Sequence, residues 1–504
     1  MVATSIEEKR LALTIGEVLH DHPAGGLATA VVSPAGLEFF QGAGVADRTR
    51  GTPITEDTVF RIGSISKTFT AIAIMQLRDR GLIDLDDAAS RHLRAFRLTP
   101  ARSSFAPVTI RQLLTHTGGI GELRNVTDVI RPTIGLATPA NRPSPSLAAY
   151  YRGKLSVEVE PGTKWAYANH GFSVLGQLVE DVSGEPFGCY MRRHVFGPLG
   201  LETTDFVRTD AIAGQLATGY TLRRHGLKEV KDRDIVVQAA VSVFATTADM
   251  ARYAAALLGG GRLPLKPESL SEMFQPQYQP DPRLPGLGLA FWLNEVGSHR
   301  TVGHGGGWPG FISAMVLAPD DGVAVLSFTN SSTVTPDRVA DALLRDLLGA
   351  RADVPRLDVP ERPEVWDELC GWYGLPPGIL TNARPRMLIG GGAEVLIRDK
   401  HLMLRGYTPM PRLRRAHRLH ADDPADPYLF RLDLTDEGLG TWPVAFSRDD
   451  GARGTSMHMG VTPISLYRRP GYRSPARLAA AGMGAAGVAG AVAAWHAIGR
   501  RTAS

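Results

Sequence analysis

The chain has 504 residues, with 55 Lys+Arg against 51 Asp+Glu, two Cys and 43% apolar residues. At roughly 150 residues per domain this is enough for one large α/β domain and a smaller companion, and the apolar fraction excludes wholesale disorder. A formal charge of +4 is no nucleic-acid footprint, and Cys189 and Cys370, far apart and unaccompanied, exclude a disulfide framework or a thiolate zinc site.

The first residues predict an amphipathic helix opening near Ser5 rather than a secretory signal, because no basic start leads into a long apolar run. Two apolar runs, 27–32 and 37–42, joined by Ser33-Pro34-Ala35-Gly36, read as a hairpin. Residues 64–280 read as helices and loops, with a Pro- and Thr-rich stretch at 121–146 as a rim for a site. A second set of strands follows at 288–296, 310–317 and 323–329, separated by turns at Gly297-Ser298 and Asp320-Asp321-Gly322. Thr335-Pro336 then opens a helix over 337–348 that ends at Gly349. The economical fold for 1–350 is α/β (α+β): one antiparallel sheet built from both ends of the segment. The first and last helices cover one face and a helical insertion covers the other.

Residues 351–364 carry three prolines, mixed charge and no periodicity, the signature of a linker. Residues 365–470 are strand-like, with runs at 394–398 and 401–405 around an Asp399-Lys400 turn and others at 428–434, 444–447 and 464–467. They predict a small β-barrel or sandwich. Arg412, Arg414, Arg415 and Arg418 read as a solvated face before an anion site. In the last stretch, 471–504, residues 478–499 carry no charge and lie between Arg477 and Arg500-Arg501, long enough to span a bilayer. Their Ala and Gly content drives insertion weakly, so a membrane tether stands beside the reading of a small-residue helix or a loose tail. A tether would leave the body on the cytoplasmic side, given Arg468, Arg469, Arg473 and Arg477. The expectation is a cytoplasmic protein, with or without that tether.

The chemistry concentrates at Ser64-Ile65-Ser66-Lys67, which runs into an apolar helical pattern. Serine and lysine three residues apart share one helix face. The helix start adds free N–H groups and positive potential, and an adjacent amine can take the proton that makes a hydroxyl a weak nucleophile. Ser66 is the rival nucleophile, but it points elsewhere on a helix. Tyr167-Ala168-Asn169 follows a Pro161-Gly162 turn and precedes a helical stretch. Tyr167 can shuttle a proton and Asn169 can hold a substrate amide. His304-Gly305-Gly306-Gly307 leads toward the strand at 310–317. Glycines there let a substrate backbone approach the strand edge, and the N–H of Gly307 paired with that of Ser64 would make an oxyanion hole. His304 could donate to substrate or to Tyr167. Nothing in the pattern calls for a metal or an organic cofactor.

In order and context these three motifs resemble the penicillin-recognising serine enzymes. The branch is that of class C β-lactamases, D-alanyl-D-alanine carboxypeptidases, D-aminopeptidases and related esterases. The stretches 109–119 and 169–176 extend the resemblance, which covers about residues 5–350. It implies the β-lactamase/transpeptidase-like fold, with Ser64 acylated, Lys67 and Tyr167 sharing the base and acid roles, and Asn169, His304, Gly305 and Gly306 facing substrate. His304 stands where many β-lactamases have Lys, a departure that counts against efficient β-lactam hydrolysis. His116 reads as structural, with its Thr neighbours as partners. Gly371-Trp372-Tyr373-Gly374 resembles the start of the lipocalin-like domain that follows this catalytic domain in some peptidases, esterases and peptide-cyclising thioesterases. The expected activity is hydrolysis of a small-molecule or peptide ester or amide through an acyl-enzyme on Ser64. The alternatives are an acyl transferase of the macrocyclase kind and a non-catalytic binding or scaffolding protein.

Overall fold

The computed structural model describes residues 5–139, 144–408, 410–437, 439–448 and 456–470. They fall into two compact units. The first holds a seven-stranded sheet of β1 (Gly26–Ser33), β2 (Gly36–Asp47), β3 (Thr52–Pro53), β4 (Trp292–Val296), β5 (His299–Trp308), β6 (Phe311–Ala318) and β7 (Val323–Thr329), in the order β4-β5-β6-β7-β1-β2-β3. Both ends of the unit meet at its centre, where β1 pairs antiparallel with β7 from Leu27↔Thr329 to Val32↔Ala324. Four helices matter here: α1 (Ser5–Asp21), α2 (Ser66–Asp79), α3 (Asn169–Ser183) and α4 (Thr335–Leu348).

Strands β1 and β7 read as near-continuous apolar runs because the centre of the sheet is buried on both faces. Along β1, Leu27 and Val31 pack with Leu11 and Ile15 of α1 and Leu343 and Leu344 of α4. Ala28, Ala30 and Val32 alternate to the opposite face, where they join Phe60, Phe69 and Ile72 in the larger core. Helix α2 is buried on every side from Ser66 to Leu77, the pattern of a central helix rather than a surface one. A side chain at its start is thereby held rigidly and away from bulk water.

The strand set differs from expectation at β5. The turn at Gly297-Ser298 leads into a ten-residue strand that contains His304, Gly305, Gly306 and Gly307, so His304 sits inside a strand and not at the entrance to the next. Its run of glycines shows no period of two, and the strand is held by its pairing with β6 from Val302↔Leu317 to Trp308↔Phe311.

His170, on α3, is fully buried and its Nδ1 bonds the Tyr151 hydroxyl at 3.0 Å. Burial, with the nearby Arg124 charge, pulls its pKa from 6.5 down to about 3. The unfolded chain therefore takes up a proton below about pH 6.5 that the folded chain refuses. The His170 contribution is complete above that pH and shrinks by about tenfold in the unfolding constant for each pH unit between 6.5 and 3. Urea unfolding of the parent and His170→Gln between pH 7 and 4 should show the parent losing more stability, by close to one proton; parallel curves would refute this.

The second unit holds a closed barrel of eight strands, Gly371–Gly374, Gly392–Arg398, His401–Gly406, Ala416–Ala421, Leu429–Leu434, Gly440–Ser447, Ser456–Met459 and Ile464–Arg469. Closure removes the exposed edges that such short strands would otherwise present. Asp399 and Lys400 both have positive φ, 52° and 62°, as a tight hairpin turn requires. Three of the four arginines in the run 412–418 are engaged singly. Arg412 and Arg414 donate to the carbonyls of Glu437 and Thr408, and Arg418 pairs with Glu361.

The units do not follow a single cut in the linker. Pro280–Leu284 groups with the barrel unit, where Arg283 bonds Asp426 and the Phe446 carbonyl, both at 2.8 Å. Gly378–Ala383 groups with the sheet unit. There the Glu158 carboxylate accepts three consecutive backbone N–H groups, from Ile379, Leu380 and Thr381, while Lys164 donates to Asn382. No helix among the described residues is long and apolar enough to cross a membrane. The run 478–499 lies outside them.

Candidate active site

Ser64 sits in a 3₁₀ turn, Gly63–Ile65, that feeds directly into α2. Gly63 has φ +53°, and a Cβ on it would lie 2.5 Å from the nitrogen of Gly307. Only glycine fits there, and its absence of a side chain brings the Ser64 turn against β5. The turn is braced on all sides. The Ile62 N–H donates to the Val243 carbonyl at 3.1 Å, and Ser313 Oγ donates to the Ile62 carbonyl at 2.8 Å. Ser66, the rival nucleophile, is one of the braces: its hydroxyl donates to the Gly63 carbonyl and accepts from the Val243 N–H.

Ser64 is buried except for 8% of its surface. Its Oγ accepts from the Tyr167 hydroxyl at 2.7 Å and from Lys67 Nζ at 3.0 Å. Lys67 has no exposed surface. Its Nζ also donates to Asn169 Oδ1 at 2.7 Å and to the Ala240 carbonyl at 2.9 Å. Three acceptors thus match the three N–H bonds of an ammonium, and the Tyr167 ring lies 4.8 Å from the same nitrogen.

Tyr167 is placed by His116. The His116 carbonyl accepts from Ala166 N–H at 2.8 Å, its Nδ1 accepts from Ala168 N–H at 3.2 Å, and its ring lies 4.2 Å from the tyrosine ring. The Thr115 and Thr117 hydroxyls bond each other, and His116 clamps the residues flanking Tyr167. Its positive φ, 59°, is what turns carbonyl and ring toward the same segment.

Asn169 is the first residue of α3, and its amide is engaged on both ends. Oδ1 faces Lys67, while Nδ2 donates to Glu122 Oε1 at 2.8 Å and its own N–H donates to Glu122 Oε2 at 3.0 Å. The Asn169 carbonyl oxygen is directed to Lys67. Glu122 is a residue that sequence reasoning missed. The one signal was a lone carboxylate just after the Gly118-Gly119 turn.

Two glycines of β5 have different neighbours. A Cβ on Gly306 would lie 1.9 Å from the Ile62 carbonyl, so this glycine admits the Ser64 turn. A Cβ on Gly305 would approach Asp337 on the α4 side, the opposite face. Strand β4 pairs with β5 from Val296↔His299 to Trp292↔Gly303, and the ladder ends one residue before His304. His304 is buried, its Nδ1 donates to the Gly305 carbonyl at 2.5 Å and its ring stands edge-on to Trp292. Trp292 in turn meets Trp165 at 5.9 Å. Among the described residues no group of three or more His, Cys, Asp or Glu is arranged to hold a metal ion.

Comparison with known proteins bears on the family and the fold. The esterase EstB of Burkholderia gladioli is 31% identical over 204 residues, 40% of this chain and 52% of that protein, so the chain matches about half the esterase's length. Penicillin-binding protein 4 of Amycolatopsis lactamdurans is 27% identical over 374 residues, 70% of this chain and 94% of that protein. The structure of the octameric penicillin-binding protein homologue from Pyrococcus abyssi superposes with a TM-score of 0.60 at 20% identity, over 92% of this chain and all of that one, and shows the shared fold. The Beta-lactamase family profile matches residues 11–350. The chain belongs to the Beta-lactamase family, whose members include esterases, penicillin-binding proteins and β-lactamases.

Proposed function

We propose that the chain is a serine hydrolase that forms an acyl-enzyme on Ser64 and cleaves a small-molecule or peptide ester or amide. The observation that carries this reading is the buried convergence on one oxygen: Ser64 Oγ lies within proton-transfer reach of both Tyr167 and Lys67. The Lys67–Tyr167 pair reacts in the form that holds one proton fewer than ammonium plus phenol, and as Oγ attacks the carbonyl carbon its proton fills that place. The oxyanion takes hydrogen bonds from the N–H groups of Ser64 and Gly307, whose backbones are pressed together at Gly63. Collapse expels the leaving group, which takes the proton, and water repeats the sequence to release the acid.

The end of the β4 ladder at Gly303, just before the glycines of β5, supports a substrate whose backbone or acyl amide lies along the strand. His304 supplies an imidazole where a permanent cation would hold a substrate carboxylate, which favours uncharged acyl groups over β-lactams. The test is pre-steady-state turnover of p-nitrophenyl butyrate with intact-mass analysis of the trapped enzyme. A burst of p-nitrophenol stoichiometric with enzyme, and an acyl adduct mapped to Ser64, is expected. Linear release with no adduct would refute the reading.

A further inference from the structure

We propose that Glu122 is the positioning residue that holds Lys67 in register with Ser64, acting through Asn169. The inference rests on the acyl-enzyme reading above. Its first ground is polarity. An ammonium can only donate and a carboxylate can only accept, so Asn169, set between Lys67 and Glu122, has one orientation that satisfies both. Its second ground is that Glu122 holds Asn169 twice, by side-chain amide and backbone N–H. That two-point grip fixes the rotamer as well as the flip of the amide.

The third ground is helix chemistry. Residue Ala168, which precedes α3, offers no capping side chain, and Asn169 opens the helix with an N–H that has no partner within it. Glu122 takes that N–H from outside the helix, where the dipole favours an anion. The carboxylate is 3% exposed and Asn169 4%, a setting in which an unbonded oxygen would be costly. One side chain thus caps α3 and sets the acceptor that Lys67 faces. Glu122 touches neither Ser64 nor the reacting carbonyl in this scheme; its effect is carried by the direction of one amide.

A glutamine at 122 can accept at one atom and must donate at the other. It cannot serve both N–H groups of Asn169, and the amide loses the constraint on its flip. The experiment is the rate at which a fluorophosphonate probe labels Ser64, measured with p-nitrophenyl butyrate kinetics, in the parent, Glu122→Gln, Glu122→Asp, Asn169→Ala and the Glu122→Gln/Asn169→Ala double variant. Labelling and the burst rate are expected to fall about 30-fold in Glu122→Gln with KM within about threefold, and to recover partly in Glu122→Asp. In the Asn169→Ala background Glu122→Gln should cost less than about twofold more, because the route is already cut. Labelling of Glu122→Gln within twofold of the parent, or the same fold loss with and without Asn169, would overturn the assignment. Should Glu122→Gln not fold, Glu122→Asp carries the comparison in both backgrounds. A parent that the probe does not label at Ser64 refutes the acyl-enzyme reading itself, a result distinct from a labelled parent with an unaffected Glu122→Gln.

Discussion

Ser64→Ala is expected to lower turnover of p-nitrophenyl butyrate by about 10³-fold or more and to abolish the covalent adduct. The change deletes one oxygen at the point where three groups meet. Lys67 keeps Asn169 and the Ala240 carbonyl as acceptors, and the braces of the turn through Ile62, Ser66 and Ser313 do not involve the Ser64 side chain. The fold should therefore persist, with a melting temperature within a few degrees of the parent. Ser66, two residues on, cannot stand in, because its hydroxyl is committed to Gly63 and Val243. A variant retaining more than about a tenth of parental turnover would show that another group carries the chemistry. A variant that lost activity together with its cooperative unfolding transition would leave the nucleophile unassigned, so activity and melting are measured on one preparation.

What could be read from the sequence divides along a physical line. Strands β1 and β7 announce themselves by apolar runs between turn residues, since burial on both faces imposes that composition, and helix α4 by the helical period of its one buried stripe. Ser64, Lys67 and Tyr167 were legible as residue types whose spacing makes chemical sense, and the structure brings them within hydrogen-bond distance. Strand β5 was half hidden, because its glycines answer to close approach by the Ser64 turn and carry no side-chain pattern. Glu122, His116 as the clamp on Tyr167 and the Ala240 carbonyl were illegible for a different reason. Each acts through a contact made only on folding, by one carboxylate, one strained backbone and one main-chain oxygen. In the same way the grouping of Gly378–Ala383 with the sheet unit depends on a carboxylate at residue 158 that no local pattern links to it.

Lys67→Met tests the other half of the mechanism. Methionine has nearly the volume and flexibility of the lysine stem, so the buried space along α2 stays filled. What is lost is a cation with three acceptors around it. Leaving those acceptors without a donor costs about 1–3 kcal/mol each, while removing a buried charge returns much of its desolvation penalty. The two effects oppose, and the net stability change is expected to be no more than about 3 kcal/mol. Catalysis has no such compensation. Without Nζ, Ser64 Oγ keeps Tyr167 as its proton-transfer partner, but the cation beside the phenol ring that would hold a phenolate is gone. The burst rate should fall by about 10³-fold, and KM should change little, since Lys67 has no exposed surface to offer a substrate. Lys67→Arg should not rescue it, because a guanidinium cannot give up its proton in the folded chain and its planar fork does not fit three converging acceptors. A Lys67→Met variant with a burst rate within tenfold of the parent would assign proton transfer to Tyr167 alone and reduce the lysine to a packing role.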